Sequence, residues 1–174
     1  MQGDNLKVNM SVHLKLITLN EVTGGREQNP LPEANSWRVY SVADDSSFST
    51  CAIFSQIAGL TSKIDRSQAV LALTKLVKVA QTGEPLQVHY DEKQCHELFR
   101  FNYKGKERVV WRVRNGSVRI VFYYANGKIL FLPGVVVKRS DKLKKHEQST
   151  LGREIERLID AEESCSLVLQ MIAK

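Results

Sequence analysis

The chain has 174 residues, 43% of them hydrophobic and 25% charged, with a formal net charge of +6. That length suits one domain able to bury a core, and the composition excludes a low-complexity or disulfide-scaffold protein. No apolar run nears the ~20 residues that a membrane-crossing helix needs. The opening MQGDNLKVNMSVHLKL lacks the continuous apolar core of a signal peptide, so the expectation is a cytoplasmic protein with no membrane partner.

Residues 7–17, KVNMSVHLKLI, alternate apolar and polar positions, which predicts a strand with one buried face. The following stretch is rich in Gly, Pro, Asn and Glu and reads as a loop. Residues 1–35 are therefore taken as an N-terminal extension of strand plus loop, and 36–174 as the main domain. SWRVYSV (36–42) is a second short strand. A short helix is expected from about Ser49 to Leu60, with Ile53, Phe54, Ile57 and Leu60 on one face. A longer helix follows, with Asp65 as a candidate cap and Val70, Leu73, Leu76, Val77 and Ala80 at helical spacing. Gly83 and Pro85 end it.

Next comes a meander: LFRFNY (98–103), RVVWRVR (108–114), SVRIVFYYA (117–125) and KILFLPGVVVK (128–138). Asn115-Gly116 and Asn126-Gly127 are hairpin signals, because both residue types tolerate the positive φ of a type I′ turn. The last helix places Leu151, Ile155, Leu158 and Ile159 on one stripe, with Ser149 and Thr150 as candidate caps. The fold expected is α+β. Its sheet is a mostly antiparallel, curved meander of about four strands plus the N-terminal strand. Two helices pack on one face, and a C-terminal helix follows.

Charge is concentrated. From Arg100 to Lys145 there are thirteen Lys or Arg against two acids, Glu107 and Asp141, or +11; the rest of the chain carries twelve bases and seventeen acids, or −5. Such a segment is the footprint of a polyanion partner, although a solvated basic face has the same composition. With Asn115-Gly116 as the loop, Arg112 opposes Arg119 on the face that also holds Arg114, Val110, Val121, Tyr123, Leu130 and Leu132. The opposite face collects Trp111, Val113, Val118, Ile120, Phe122, Tyr124, Ile129 and Phe131, and is the one helices should cover. The arginine face is expected to be open, with Lys138 joining it, or Arg139 if a bulge intervenes near Pro133-Gly134. Guanidinium groups converging without carboxylates suit phosphate, which Arg grips with a planar fork.

The three cysteines, Cys51, Cys95 and Cys165, form no C-x-x-C pair and suggest neither a disulfide framework nor a zinc site. Neither metal nor cofactor is expected.

Three stretches carry a family resemblance: ELFRFNY (97–103), VWRVRNGSVRIVFYYANGKILFLPGVVVKRSDK (110–142) and GREIERL (152–158). Their order, between two helices and a C-terminal helix, resembles the RelE/ParE toxin superfamily, closest to its HigB-like, phage-derived branch. The resemblance implies an RNA-cleaving toxin of a toxin–antitoxin pair, an mRNA interferase associated with the ribosome. It also implies a cognate antitoxin as partner and metal-independent attack of a ribose 2′-OH on the adjacent phosphate. By position in the motifs, Arg119 and Arg139 would be catalytic, and Arg112, Arg114 and Lys138 would bind RNA together with Lys142, Lys144 and Lys145. The chain departs from the pattern at Val118, where an aromatic is common, and lacks a tyrosine after the basic pair. His146 is the nearest substitute as an acid or base, and Asp141 the nearest carboxylate. Two other classes share the resemblance: a gyrase-inhibiting toxin acting through protein contacts, and a nucleic-acid-binding module without cleavage.

Overall fold

The computed structural model describes residues 10–28, 34–138 and 142–171. Among them run β1 (Val12–Leu16), α1 (Leu19–Val22), β2 (Arg38–Val42), α2 (Ala52–Ala58), α3 (Lys63–Ala80), β3 (Cys95–Tyr103), β4 (Lys106–Asn115), β5 (Val118–Ala125), β6 (Ile129–Val137), α4 (Lys145–Glu163) and β7 (Leu167–Leu169). A 3-10 turn, Leu86–His89, links α3 to the meander.

The strands form one sheet in the order β3-β4-β5-β6-β2-β1-β7. The expected four-strand antiparallel meander with an added strand is thus corrected to a seven-stranded mixed sheet: β2 pairs parallel to β6, and β1 parallel to β7. Parallel neighbours need a long crossover. Here α2, α3 and the meander separate β2 from β6 in sequence, so no local pattern announces that they pair. The N-terminal β1 lies inside the sheet, antiparallel to β2, and the three-residue β7 closes its far edge.

α2, α3 and α4 form where the apolar spacing places them, with shifted ends. α1 is a fourth helix within the stretch read as a loop, capped by the Thr18 hydroxyl, which accepts from the Glu21 amide. α3 is capped by the Ser62 hydroxyl, which accepts from the Asp65 amide, so Asp65 is a first-turn residue rather than the cap. α4 begins at Lys145, one turn before the expected caps, and Glu147 Oε2 accepts from the Lys144 amide.

The meander differs from expectation in register. The first loop is Gly116-Ser117, with Asn115 opposite Val118 and Arg114 opposite Arg119. Gly116 has φ +57°, the positive value a type II′ turn needs at its first loop position. α3 holds this loop: Ser117 Oγ donates to Asp65 Oδ1 (2.7 Å) and Asn115 Nδ2 donates to the Gln68 carbonyl (3.2 Å). Moving the loop by one residue moves each partner by two, so Arg112, Arg114 and Arg119 stay on one face.

The second loop has three residues, Asn126 to Lys128, with Ala125 opposite Ile129. An odd slip inverts the faces. Leu130 and Leu132 therefore enter the core under α2 and α3, while Ile129 and Phe131 face α4, the reverse of the expected assignment. A register shift between Val121 and Tyr123, across from Pro133, restores the original alternation, so that Val136 opposes Arg119. Proline cannot donate to a ladder and is at home at such a bulge.

Both faces of the sheet are covered. α2 and α3 pack over Ile120, Phe122, Leu130 and Leu132. α4 packs Leu151, Ile155, Leu158 and Ile159 onto Val110, Val121, Phe131 and Leu14. The expected open face is closed over its apolar half because α4 is itself amphipathic, and each side chain it buries is worth about 1.5–3 kcal/mol.

Candidate functional site

α4 runs along the sheet in a defined direction. Its C-terminal turns meet the loops at one end: Lys104 Nζ pairs with Asp160 (2.8 Å), Tyr103 Oη donates to Asp160 (2.6 Å) and Asn126 Nδ2 donates to Glu162 (2.8 Å). Its first turns therefore lie toward the other end, where the Gly116-Ser117 loop and the arginines sit. There Leu151 approaches Gly134, which opposes Val121. The Lys138 amide donates to the Ser117 carbonyl (2.8 Å), which puts Lys138 beside the same loop. Four residue steps separate Lys138 from Lys142, so their Cα atoms are at most about 14 Å apart. Lys142, Lys144 and Lys145 are exposed, as is His146 in the first turn of α4. Arg139 lies outside the described residues.

At the centre are three arginines. Arg114 is exposed, while Arg112 and Arg119 keep only 6% and 7% of their surface. Arg112 Nη1 donates to the Lys93 carbonyl (2.8 Å) and Arg119 Nη1 to the Gly116 carbonyl (2.8 Å). Arg114 Nε donates to the same Gly116 carbonyl at 3.1 Å. Arg119 Nε is buried without a partner among the described residues. Burial, reinforced by Arg112 and Arg114, pushes the Arg119 guanidinium down to about 10. Burial and Arg114 push Arg112 down as well. Among the described residues no carboxylate is hydrogen-bonded to Arg112 or Arg119; their partners are carbonyls and one imidazole. A bound anion would offset the repulsion that remains.

The imidazole is His96, a residue that sequence reasoning passed over. It opposes Arg112 across the β3–β4 ladder. Arg112 Nη2 donates to His96 Nε2, and His96 Nδ1 lies 2.5 Å from the Glu97 carbonyl. Accepting at Nε2 and donating at Nδ1 defines one neutral tautomer. The nearest local signal, the β3–β4 loop Lys104-Gly105, where both residues have positive φ, misplaces His96. Counting back from that loop would put His96 opposite Val113. A register shift between Glu97 and Phe99 moves it to Arg112.

The site therefore gathers Arg112, Arg114, Arg119 and His96, with Lys138 and the start of α4 at the same end of the sheet. No protein-family model, no curated protein and no solved structure matches this chain. Among the described residues no helix is long and apolar enough to cross a membrane.

Proposed function

We propose that this chain is a metal-independent endoribonuclease, the RNA-cleaving toxin of a toxin–antitoxin pair, acting on mRNA in association with the ribosome. The observation that carries the reading is the arginine cluster with His96 hydrogen-bonded to Arg112. The motifs that resemble the RelE/ParE superfamily support the choice of substrate.

The chemistry follows from the partners. A backbone phosphate entering the cluster meets guanidinium groups whose charge lacks a carboxylate among the described residues. When Arg112 turns a donor toward the phosphate, it releases His96 Nε2. That nitrogen is then free to take the proton of the ribose 2′-OH. The 2′-oxygen attacks phosphorus, the bond from phosphorus to the 5′-oxygen breaks, and the leaving oxygen receives a proton, for which His146 is the candidate donor. Arg119 holds the charge that accumulates on the non-bridging oxygens, an interaction stronger in the transition state than in the ground state. The products are a 2′,3′-cyclic phosphate and a 5′-hydroxyl.

A nucleic-acid-binding module without cleavage is the second reading. It is favoured by the main-chain hydrogen bonds of Arg112 and Arg119, which hold both guanidinium groups low on the sheet. One experiment separates the two: incubation with end-labelled mRNA, with and without translating ribosomes, followed by mapping of the 3′ ends. Cleavage should survive EDTA, and a substrate with 2′-deoxyribose at the scissile position should bind and remain uncut. Normal cleavage of that substrate overturns the 2′-OH mechanism. Tight binding without cleavage under every condition favours the binding module.

A further inference from the structure

We propose that the groove between edge strand β3 and α4 is a stacking site for unpaired nucleobases, continuous with the arginine cluster. This rests on the reading of that cluster as an RNA-phosphate site, and it specifies single-stranded RNA as the form bound.

The groove has a volume of about 460 Å³, within the range of small-molecule sites. Phe99 and Phe101 form its floor, with ring centroids 6.1 Å apart. They stand on the arginine face by the register that runs unbroken from the Lys104-Gly105 loop: Phe99 opposes Val110, and Phe101 opposes Arg108. Val110 lies two residues before Arg112, about 7 Å along the strand. A base resting on Phe99 therefore has its phosphate within reach of the Arg112 guanidinium.

The opposite wall is α4, whose Lys145, Ser149, Gly152 and Glu156 recur at helical spacing along the groove. Lys145 marks the end nearer the arginines and Glu156 the farther end, with Arg153 between them. Cations and half-buried ring surface thus run together from the cluster outward. That combination suits a polyanion with aromatic faces, whereas an acidic peptide would leave the rings without stacking partners. Gly152 keeps the wall low, since a Cβ there would meet nothing within 4 Å. A duplex keeps its bases stacked inward and cannot present one to the groove.

The test is binding of a short single-stranded oligoadenylate carrying one fluorescent purine, and of an RNA hairpin duplex, each measured over a range of salt. Two variants probe the groove independently: the double substitution Phe99→Leu with Phe101→Leu removes the ring faces, and Gly152→Gln fills the space from the other wall. Circular dichroism checks that each is folded, and Gly152→Gln decides alone if the double variant is not. Each should weaken oligoadenylate binding about five-fold or more and abolish the change in purine fluorescence on binding. Duplex affinity and the salt dependence should not change, since no phosphate contact is removed. Unaltered oligoadenylate affinity in both variants, while Arg119→Met still flattens the salt dependence, overturns the groove and leaves the RNA-phosphate reading standing. Absence of any RNA binding by the wild-type protein removes that reading and the groove with it.

Discussion

Arg114 and Arg119 stand directly opposite each other across the β4–β5 ladder, one exposed and the other all but buried. Like charges opposed in this way are destabilising by a few tenths to about 1 kcal/mol. Replacing Arg119 with Met keeps the aliphatic stem and removes the charge, at the cost of leaving the Gly116 and Val118 carbonyls without that donor. Urea unfolding of Arg119→Met should give a stability equal to wild type or higher by about 1 kcal/mol. In RNA binding, the same variant should reduce the slope of log affinity against log salt by roughly 0.7, the value of one phosphate contact on a single strand. A large loss of stability would show that the two carbonyl contacts outweigh the repulsion.

His96 and His146 separate the two proton transfers. His96→Gln should lower the single-turnover cleavage rate by about a hundred-fold or more while RNA affinity changes little. His146→Gln should slow cleavage of an ordinary substrate and spare one with an activated leaving group, which needs no proton. Unchanged cleavage by His96→Gln would transfer the base to another group.

The far end of α4 carries a pH signature. Lys104, followed by Tyr103, holds the Asp160 carboxyl below its ordinary range through hydrogen bonds. A carboxylate with a depressed folded-state pKa contributes stability above its unfolded value, near pH 4, and loses it as pH falls through the folded value. The melting temperature of the wild type should therefore decline on acidification below about pH 4, and Asp160→Asn should flatten that part of the profile. An identical acid profile in the variant would show that the contact is not formed in solution.

The Gly116 position tests the loop register. Its φ is +57°, and a Cβ there would collide with the side-chain amide of Gln68. Gly116→Ala should cost about 1–2 kcal/mol from the backbone alone. The side-chain clash adds to it, and in a double-mutant cycle Gln68→Ala should recover that added part. Additive losses would mean that Gln68 does not face the loop.

Much of this protein was legible in its sequence. The apolar spacing of α3 and α4, the two Asn-Gly signals and the run of bases without acids from Arg108 to Lys138 each depend on residues close together in the chain, where pattern and structure are tied by helical or strand periodicity. By the same local alternation Arg112, Arg114 and Arg119 share a face under either register. Other features came from contacts between distant segments. The parallel pairing of β2 with β6 joins strands that share no turn. The loop settles at Gly116-Ser117 where Asp65 and Gln68 of α3 bond to it. Two register shifts, each one residue long, decide which side chains stand together: the one at Pro133 returns Val136 to Arg119, and the one after Glu97 brings His96 to Arg112. Side chains in a strand alternate every residue, so a single extra residue inverts everything beyond it. Pro133 marks the first of these bulges in the sequence, because it cannot donate to a ladder, whereas no residue type marks the one after Glu97, which appears only when β3 and β4 pair in the folded sheet.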